Sequence, residues 1–203
     1  MDFIAAADLD RLYRPTAPMA RDKTLDHVDR HGRRFVSLSP FCVIAAAGPD
    51  GALDVSPRGG EPGFVHVSED GRTLFLPDRR GNNRLDTIRN LLTGSGHVGM
   101  MFIIPGFEDI YRVNGRVRAT ADADVLQRHV EFGKAPSLVL VAEVDEAFFH
   151  CPKAAMRAKL WDPAVQVDRA VMPTGAEILF DQLGLGAPPM SEAEVRESLT
   201  RQL

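Results

Sequence analysis

The sequence predicts a mainly β protein with covering helices, an α+β chain built around a β-barrel. Three observations lead there. From Phe41 onward the chain runs in short apolar stretches separated by turn chemistry, the pattern of antiparallel strands. At least six such stretches occur, and only a few helical patterns lie between or outside them. Strand and helix do not alternate strictly, which argues against a doubly wound parallel sheet.

Residues 24–31 suit a helix before the first strand. FCVIAAA at 41–47 is an apolar strand, GPDG at 48–51 is a turn, and 52–58 returns as its partner. A second hairpin pairs FVHV at 64–67 with TLFL at 73–76 across SEDGR. Leu85, Ile88, Leu91 and Leu92 share one face of a helix over 83–92. GSGH at 94–97 reads as that helix's C-terminal cap. Further strands are expected at 97–104, 111–119 and 137–144, with short helices at 124–132 and 152–161. Met100, Met101 and Phe102 read as core residues of their strand. The stretch after Trp161 contains GLGAPP and ends in SEAEVRESLTRQL, which suits either a terminal helix or a mobile tail. The organisation expected is one domain over 1–203, with a barrel core at 35–161, an N-terminal helical extension at 1–34 and a C-terminal extension at 162–203.

Composition narrows the function classes. Of 203 residues, 44% are hydrophobic and 26% charged, which is globular rather than disordered. The net charge of −4 disfavours bulk affinity for nucleic acid or an anionic membrane. Arginines outnumber lysines 20 to 4, so what matters is where they cluster. No apolar run is long enough to span a bilayer, and the start of the chain lacks a signal peptide's basic flank, so a cytoplasmic protein is expected. Cys42 and Cys151 are far apart, form no CxxC, and read as reduced thiols.

The most informative segment is LFLPDRRGNNRLDTIRNLL, residues 74–92. A strand is expected to stop at Pro77, and a loop then carries Arg79, Arg80 and Gly81. A helix is expected to begin near Asn82 or Asn83, with Arg84 in its first turn. Arginine is disfavoured at a helix N-terminus, where free N–H groups already make the potential positive, so its presence points to a bound anion. Backbone donors, Asn side chains and converging guanidinium groups would make a phosphate site. The competing reading is a solvated basic loop with an Asn N-cap. A second segment, DVSPRGG at 54–60, offers Ser56 and Arg58 to ring heteroatoms, and glycines that permit close approach to a flat ligand. It lies one hairpin before the Arg/Asn loop, so adjacent strands would bring the two segments to one barrel edge.

The order DVSPRGG, hairpin, LFLPDRRGNNRLD, helix, HVGMMFIIPG, YRVNGRV resembles the pyridoxamine 5'-phosphate oxidase-like flavoproteins, which are FMN-binding split barrels. HCPKAAMRAKLW at 150–161 looks like the motif of a subgroup described only as FMN-dependent. The resemblance implies that Asp54, Val55, Ser56, Pro57 and Arg58 line the isoalloxazine and ribityl chain of FMN. Leu76 and Pro77 then present backbone to the flavin. Asn83 and Arg84 match the pair that holds the phosphate; Asn83 replaces a charged residue, Arg80 supplies the missing charge, and Asn82 adds a side-chain donor. It also implies a homodimer with FMN at the interface, where Lys153, Arg157 and Trp161 reach the partner's flavin.

The activity implied by the resemblance is that of an FMN-dependent oxidoreductase acting on a small organic substrate. The Arg-Leu-x-Pro type segment of true pyridoxamine phosphate oxidases does not occur after Trp161, so vitamin B6 oxidation is not implied. The alternatives are a flavin or haem binding module without turnover, and an F420-dependent reductase on the same barrel. No catalytic side chain is identified and no metal site is expected. His27 and His31 have the i,i+4 spacing of two metal ligands, but without a third ligand they read as a solvated helix face. His150 and Cys151 are adjacent, so their side chains point in different directions.

Overall fold

A computed structural model describes residues 1–202. The chain divides into two compact units, Met1–Ala158 and the segment from Lys159 onward. The first holds helices α1 (Leu9–Leu12), α2 (Pro18–Asp22), α3 (Arg30–Leu38), α4 (Asp86–Thr93), α5 (Ala123–Gln127) and α6 (Lys153–Ala158). Its strands are β1 (Phe41–Ala47), β2 (Leu53–Gly59), β3 (His66–Val67), β4 (Thr73–Asp78), β5 (His97–Ile103), β6 (Ile110–Thr120) and β7 (Leu138–His150). The second unit holds α7 (Gly175–Leu183) and α8 (Glu192–Gln202).

The seven strands form one antiparallel sheet in the order β2-β1-β5-β6-β7-β4-β3, and it does not close. The expected mainly β fold with covering helices is the fold observed. Period-two alternation aims Cys42, Ile44 and Ala46 of β1, Met100 and Phe102 of β5, Tyr111 and Val113 of β6 and Leu74 and Leu76 of β4 into one core. Met101 takes the opposite face and is 39% exposed, so only its two neighbours are core. Helix α3 adds Phe35 and Val36, with the Phe35 ring 5.4 Å from Phe149 and 6.2 Å from Tyr111. A bulge breaks the β6–β7 register at Gly115, where an added Cβ would sit 2.0 Å from the Glu143 carbonyl oxygen.

Several boundaries differ from expectation, each for a local reason. The helix ahead of the first strand, α3, starts at Arg30 rather than 24, because Asp29 caps it by accepting the Gly32 N–H at 2.8 Å. Before that cap, Leu25 exchanges backbone hydrogen bonds with Ala147, at 3.0 and 2.8 Å. His27 and His31 therefore do not share a helix face. Strand β3 shrinks to two residues because Phe64 and Val65 are buried in the turn ahead of it. Helix α5 stops at Gln127, and Phe132 and Gly133 then turn the chain with positive φ, 52° and 70°. Strand β7 runs to thirteen residues because it pairs with both β6 and β4. Helix α7, in the segment expected as an extension, is marked by a Thr174/Glu177 capping box and a left-handed Gly184.

Candidate functional site

The alternation of β2 sorts the DVSPR segment into two faces. Asp54, Ser56 and Arg58 lie half-buried on one face, while Val55 and Pro57 lie exposed on the other. The register places Ser56 beside Ile44 and Arg58 beside Cys42, so the polar stripe lies on the barrel's inner side. Of the five residues expected to line a flavin, the structure thus groups three.

β2 and β4 are not adjacent strands, contrary to the sequence expectation. They lie toward opposite ends of the open sheet, whose curvature brings them together. Side chains span the opening. Arg58 Nε lies 3.4 Å from Asp78 Oδ1, with the two side chains only 18% and 12% exposed. Arg58 Nη1 also donates to Ser56 Oγ at 2.6 Å and to the Pro57 carbonyl at 2.9 Å. The buried Thr87 hydroxyl, in the first turn of α4, donates to Asp54. β3 pairs only with Leu74 and Phe75, so among the described residues the edge of β4 from Leu76 to Asp78 has no strand on that side. Leu76 and Pro77 are buried there.

Burial raises the Asp78 carboxyl above the ordinary carboxylate range, and the Arg58 charge opposes that shift. Burial also pushes the Cys42 thiol up to about 12, again opposed by Arg58. One guanidinium thus serves the inner face of β2, the β4 edge and the β1 thiol.

The Arg/Asn loop departs further from expectation. Strand β4 continues to Asp78, and helix α4 starts at Asp86 with Leu85 at an uncapped N-terminus. Arg84 is therefore outside the helix, and Asp86 is the charge in its first turn. The inference from an arginine inside the first turn does not hold. Residues 80–85 are all exposed. Asn82 Oδ1 accepts the Arg84 N–H at 3.0 Å, and Asn83 takes a left-handed φ of 57°. Arg84 Nε lies 2.5 Å from Asp86 Oδ2, a hydrogen bond that raises its pKa.

Arg79 turns away from the other arginines. Its Nη2 lies 2.6 Å from Glu131 Oε2 and donates to the His129 carbonyl at 3.2 Å. Glu131 Oε1 in turn accepts the Glu61 N–H at 2.5 Å. Gly60 explains its own residue type: an added Cβ would meet Phe64 Cβ at 2.7 Å and Glu131 Oε2 at 3.0 Å. Its close approach is to protein, not to a flat ligand. Lys153 and Arg157 are exposed on α6, and Trp161 belongs to the second unit. Sequence reading missed Asp78, Thr87, His129 and Glu131. Asp78 sat in plain view inside the PDRR run, while the other three meet their partners only through the fold.

The sequence profile of pyridoxamine 5'-phosphate oxidase matches residues 28–151, more than half of the chain. The chain belongs to the pyridoxamine 5'-phosphate oxidase family. The matched span of this family member starts just before α3 and ends just after β7. No curated protein matches it. Solved structures similar to it include HupZ of Group A Streptococcus, at 12% identity and TM-score 0.48, covering 60% of this chain and 93% of that one. Another is HutZ, the heme storage protein from Vibrio cholerae, at 13% identity and TM-score 0.43, covering 61% and 94%. A third is a protein related to general stress protein 26, of the pyridoxinephosphate oxidase family, from Clostridium acetobutylicum. It shares 11% identity at TM-score 0.43, covering 59% and 85%. No helix among the described residues is long and apolar enough to cross a membrane.

Proposed function

We propose that this family member is an FMN-dependent oxidoreductase, a cytoplasmic homodimer that passes electrons between a small organic substrate and oxygen or a nicotinamide. The observation that carries the reading is the split itself. Arg58 and Asp78 join the two sheet edges beside a fully exposed loop that offers two guanidinium groups and two carboxamides.

The donor set fits FMN. Arg80, Arg84 and Asn83 would hold the phosphate, because they combine positive charge with side-chain donors and face no barrier of burial. Ser56 and Arg58 would hydrogen-bond the ring system, and the unpaired β4 edge at Leu76 and Pro77 would lie against it. When bound, the flavin supplies the redox chemistry, and the protein supplies orientation and electrostatics. Arg58 is already fixed by three partners, so its charge is pre-positioned. Burial raises the Asp78 pKa while the Arg58 charge opposes that shift, so the pair is held across the split by two half-compensating effects.

The dimer reading is supported by the outer sheet face. Leu53 is 80% exposed, Val55 65% and Met101 39%, next to a depression of about 520 Å³ floored by Ala45 and Gly99. An apolar face of this kind is ordinarily covered.

The test is the visible spectrum of the purified protein, with mass analysis of whatever is released on denaturation. Released FMN together with reduction by NADH or NADPH and reoxidation supports the enzyme. A tightly held but inert flavin, or haem, supports the binding module instead. A released deazaflavin supports the F420-dependent reductase.

A further inference from the structure

Every residue from Met1 to Asp26 except Asp8 is exposed, although this arm is rich in large apolar side chains. Phe3 is 90% exposed, Tyr13 70% and Leu12 60%, and Ile4, Leu9 and Met19 are also in solvent. The arm still has local order. Asp8 accepts the Ala5 N–H at 3.0 Å and pairs with Arg11, and α1 then sets Leu9 and Leu12 on one face at i,i+3. A covered aromatic side chain buries about 150–250 Å². Two aromatic and four aliphatic side chains therefore approach the roughly 800 Å² per partner of a stable interface.

Where the arm leaves the barrel is fixed by two contacts. Leu25 pairs with the Ala147 backbone, and Lys23 Nζ donates to the Phe149 carbonyl while lying 5.0 Å from the Phe148 ring centroid. Phe148 and Glu146 alternate onto the outer sheet face, opposite Arg112 and Asn114 of β6. That face carries the depression of about 520 Å³, with a floor of small residues, Ala45, Ala47 and Gly99, and Asp145 and Glu146 in its lining. Arg112 and Asn114 both donate to Glu146 Oε1 at 2.7 Å, so Oε2 keeps its acceptor capacity. Asp145 lies no nearer than 3.9 Å to Arg116. The depression thus joins an apolar floor to an acidic side.

We propose that the arm of each copy lies across the outer sheet face of a second copy, with Leu9, Leu12 and Tyr13 in the depression and Arg14 toward Asp145 and Glu146. The proposal rests on the homodimer half of the reading above and names what covers the exposed face. Charge fits as well as shape: Arg11 is paired with Asp8, whereas Arg14 is exposed with no ion pair among the described residues. The chain between arm and barrel favours a partner over the arm's own sheet. Tyr13 is extended at φ −123° and ψ 147°, Pro15 fixes its own φ, and Ala17 ahead of Pro18 has φ −59° and ψ 139°. This stiff stretch carries residues 1–14 outward instead of folding them back. A lipid surface does not suit the arm, because Asp2, Asp8 and Asp10 outnumber Arg11 and Arg14.

The test places the photo-crosslinker p-benzoylphenylalanine at position 13 of the full chain, in place of Tyr13, and irradiates the purified protein after sedimentation. The expected product is a covalent dimer whose crosslinked peptides join the arm to residues 45–53, 97–99 or 145–146 of the other chain. Leu9→Ser combined with Leu12→Ser alters only exposed side chains, and should raise the dimer dissociation constant about tenfold or more. A sedimenting dimer that gives only intrachain crosslinks, or interchain crosslinks to other segments, overturns the proposal and leaves the homodimer standing. An unchanged dissociation constant in the double variant does the same. A monomer in sedimentation overturns the homodimer reading and the arm with it. FMN release is measured on the same sample, so the cofactor reading stands or falls separately.

Discussion

Replacing Arg58 with Met tests whether the split is held by the Arg58–Asp78 pair. Methionine fills the aliphatic volume but removes the charge, which leaves a carboxyl that is 12% exposed with no cation beside it. Removing one partner of a fully buried pair costs about 3–5 kcal/mol. The contact here is 3.4 Å long and Asp78 can escape by taking up a proton, so about 2–3 kcal/mol is expected at pH 8. For a chain of this size that lowers Tm by roughly 4–12 °C. The pH dependence comes from the direction of the shift. Burial already holds the folded pKa of Asp78 above its unfolded value, and losing Arg58 raises it further. The folded variant then binds that proton more tightly than the unfolded chain. Its deficit is therefore full above the folded pKa and shrinks as pH falls through it. The assay is urea denaturation at pH 8 and pH 5, followed by circular dichroism. Adding Asp78→Asn to the variant should restore much of the loss, since no buried charge remains. An equal deficit at both pH values, or one under about 0.5 kcal/mol, refutes the reasoning.

Gly60→Ala should destabilise by about 1–3 kcal/mol, because the new methyl meets Phe64 Cβ at 2.7 Å; a thermal melt checks it. Burial, reinforced by His129, lowers the pKa of His66. Its contribution to stability is therefore present above the ordinary histidine value and lost as pH falls through the folded pKa, a decline below about pH 6.5 that His66→Gln should flatten. Arg84→Ala should weaken FMN binding by roughly one to two decades and leave riboflavin, which lacks the phosphate, nearly unchanged, as read by fluorescence titration. Sedimentation should show a dimer at micromolar concentration, and Val55→Glu on the outer face should dissociate it.

Most strands and the class of fold are legible in the residues alone. β1 occupies the residues its apolar run marked, because a two-residue period and a GPDG turn are local facts. The two ligand-like segments are also legible, since Gly, Pro and clustered Arg stand out without any structure. How those segments meet is a property of the folded chain. Sequence proximity suggests neighbouring strands, but the sheet order sets β2 and β4 apart and leaves side chains to span the gap. Helix starts depend on competition for backbone donors, which Asp29 wins at α3 and which no cap settles at α4. The Arg79–Glu131 pair and the His66–His129 stack join residues more than 50 positions apart. Charge pairing and burial depend on distance in space, and only the folded chain sets those distances.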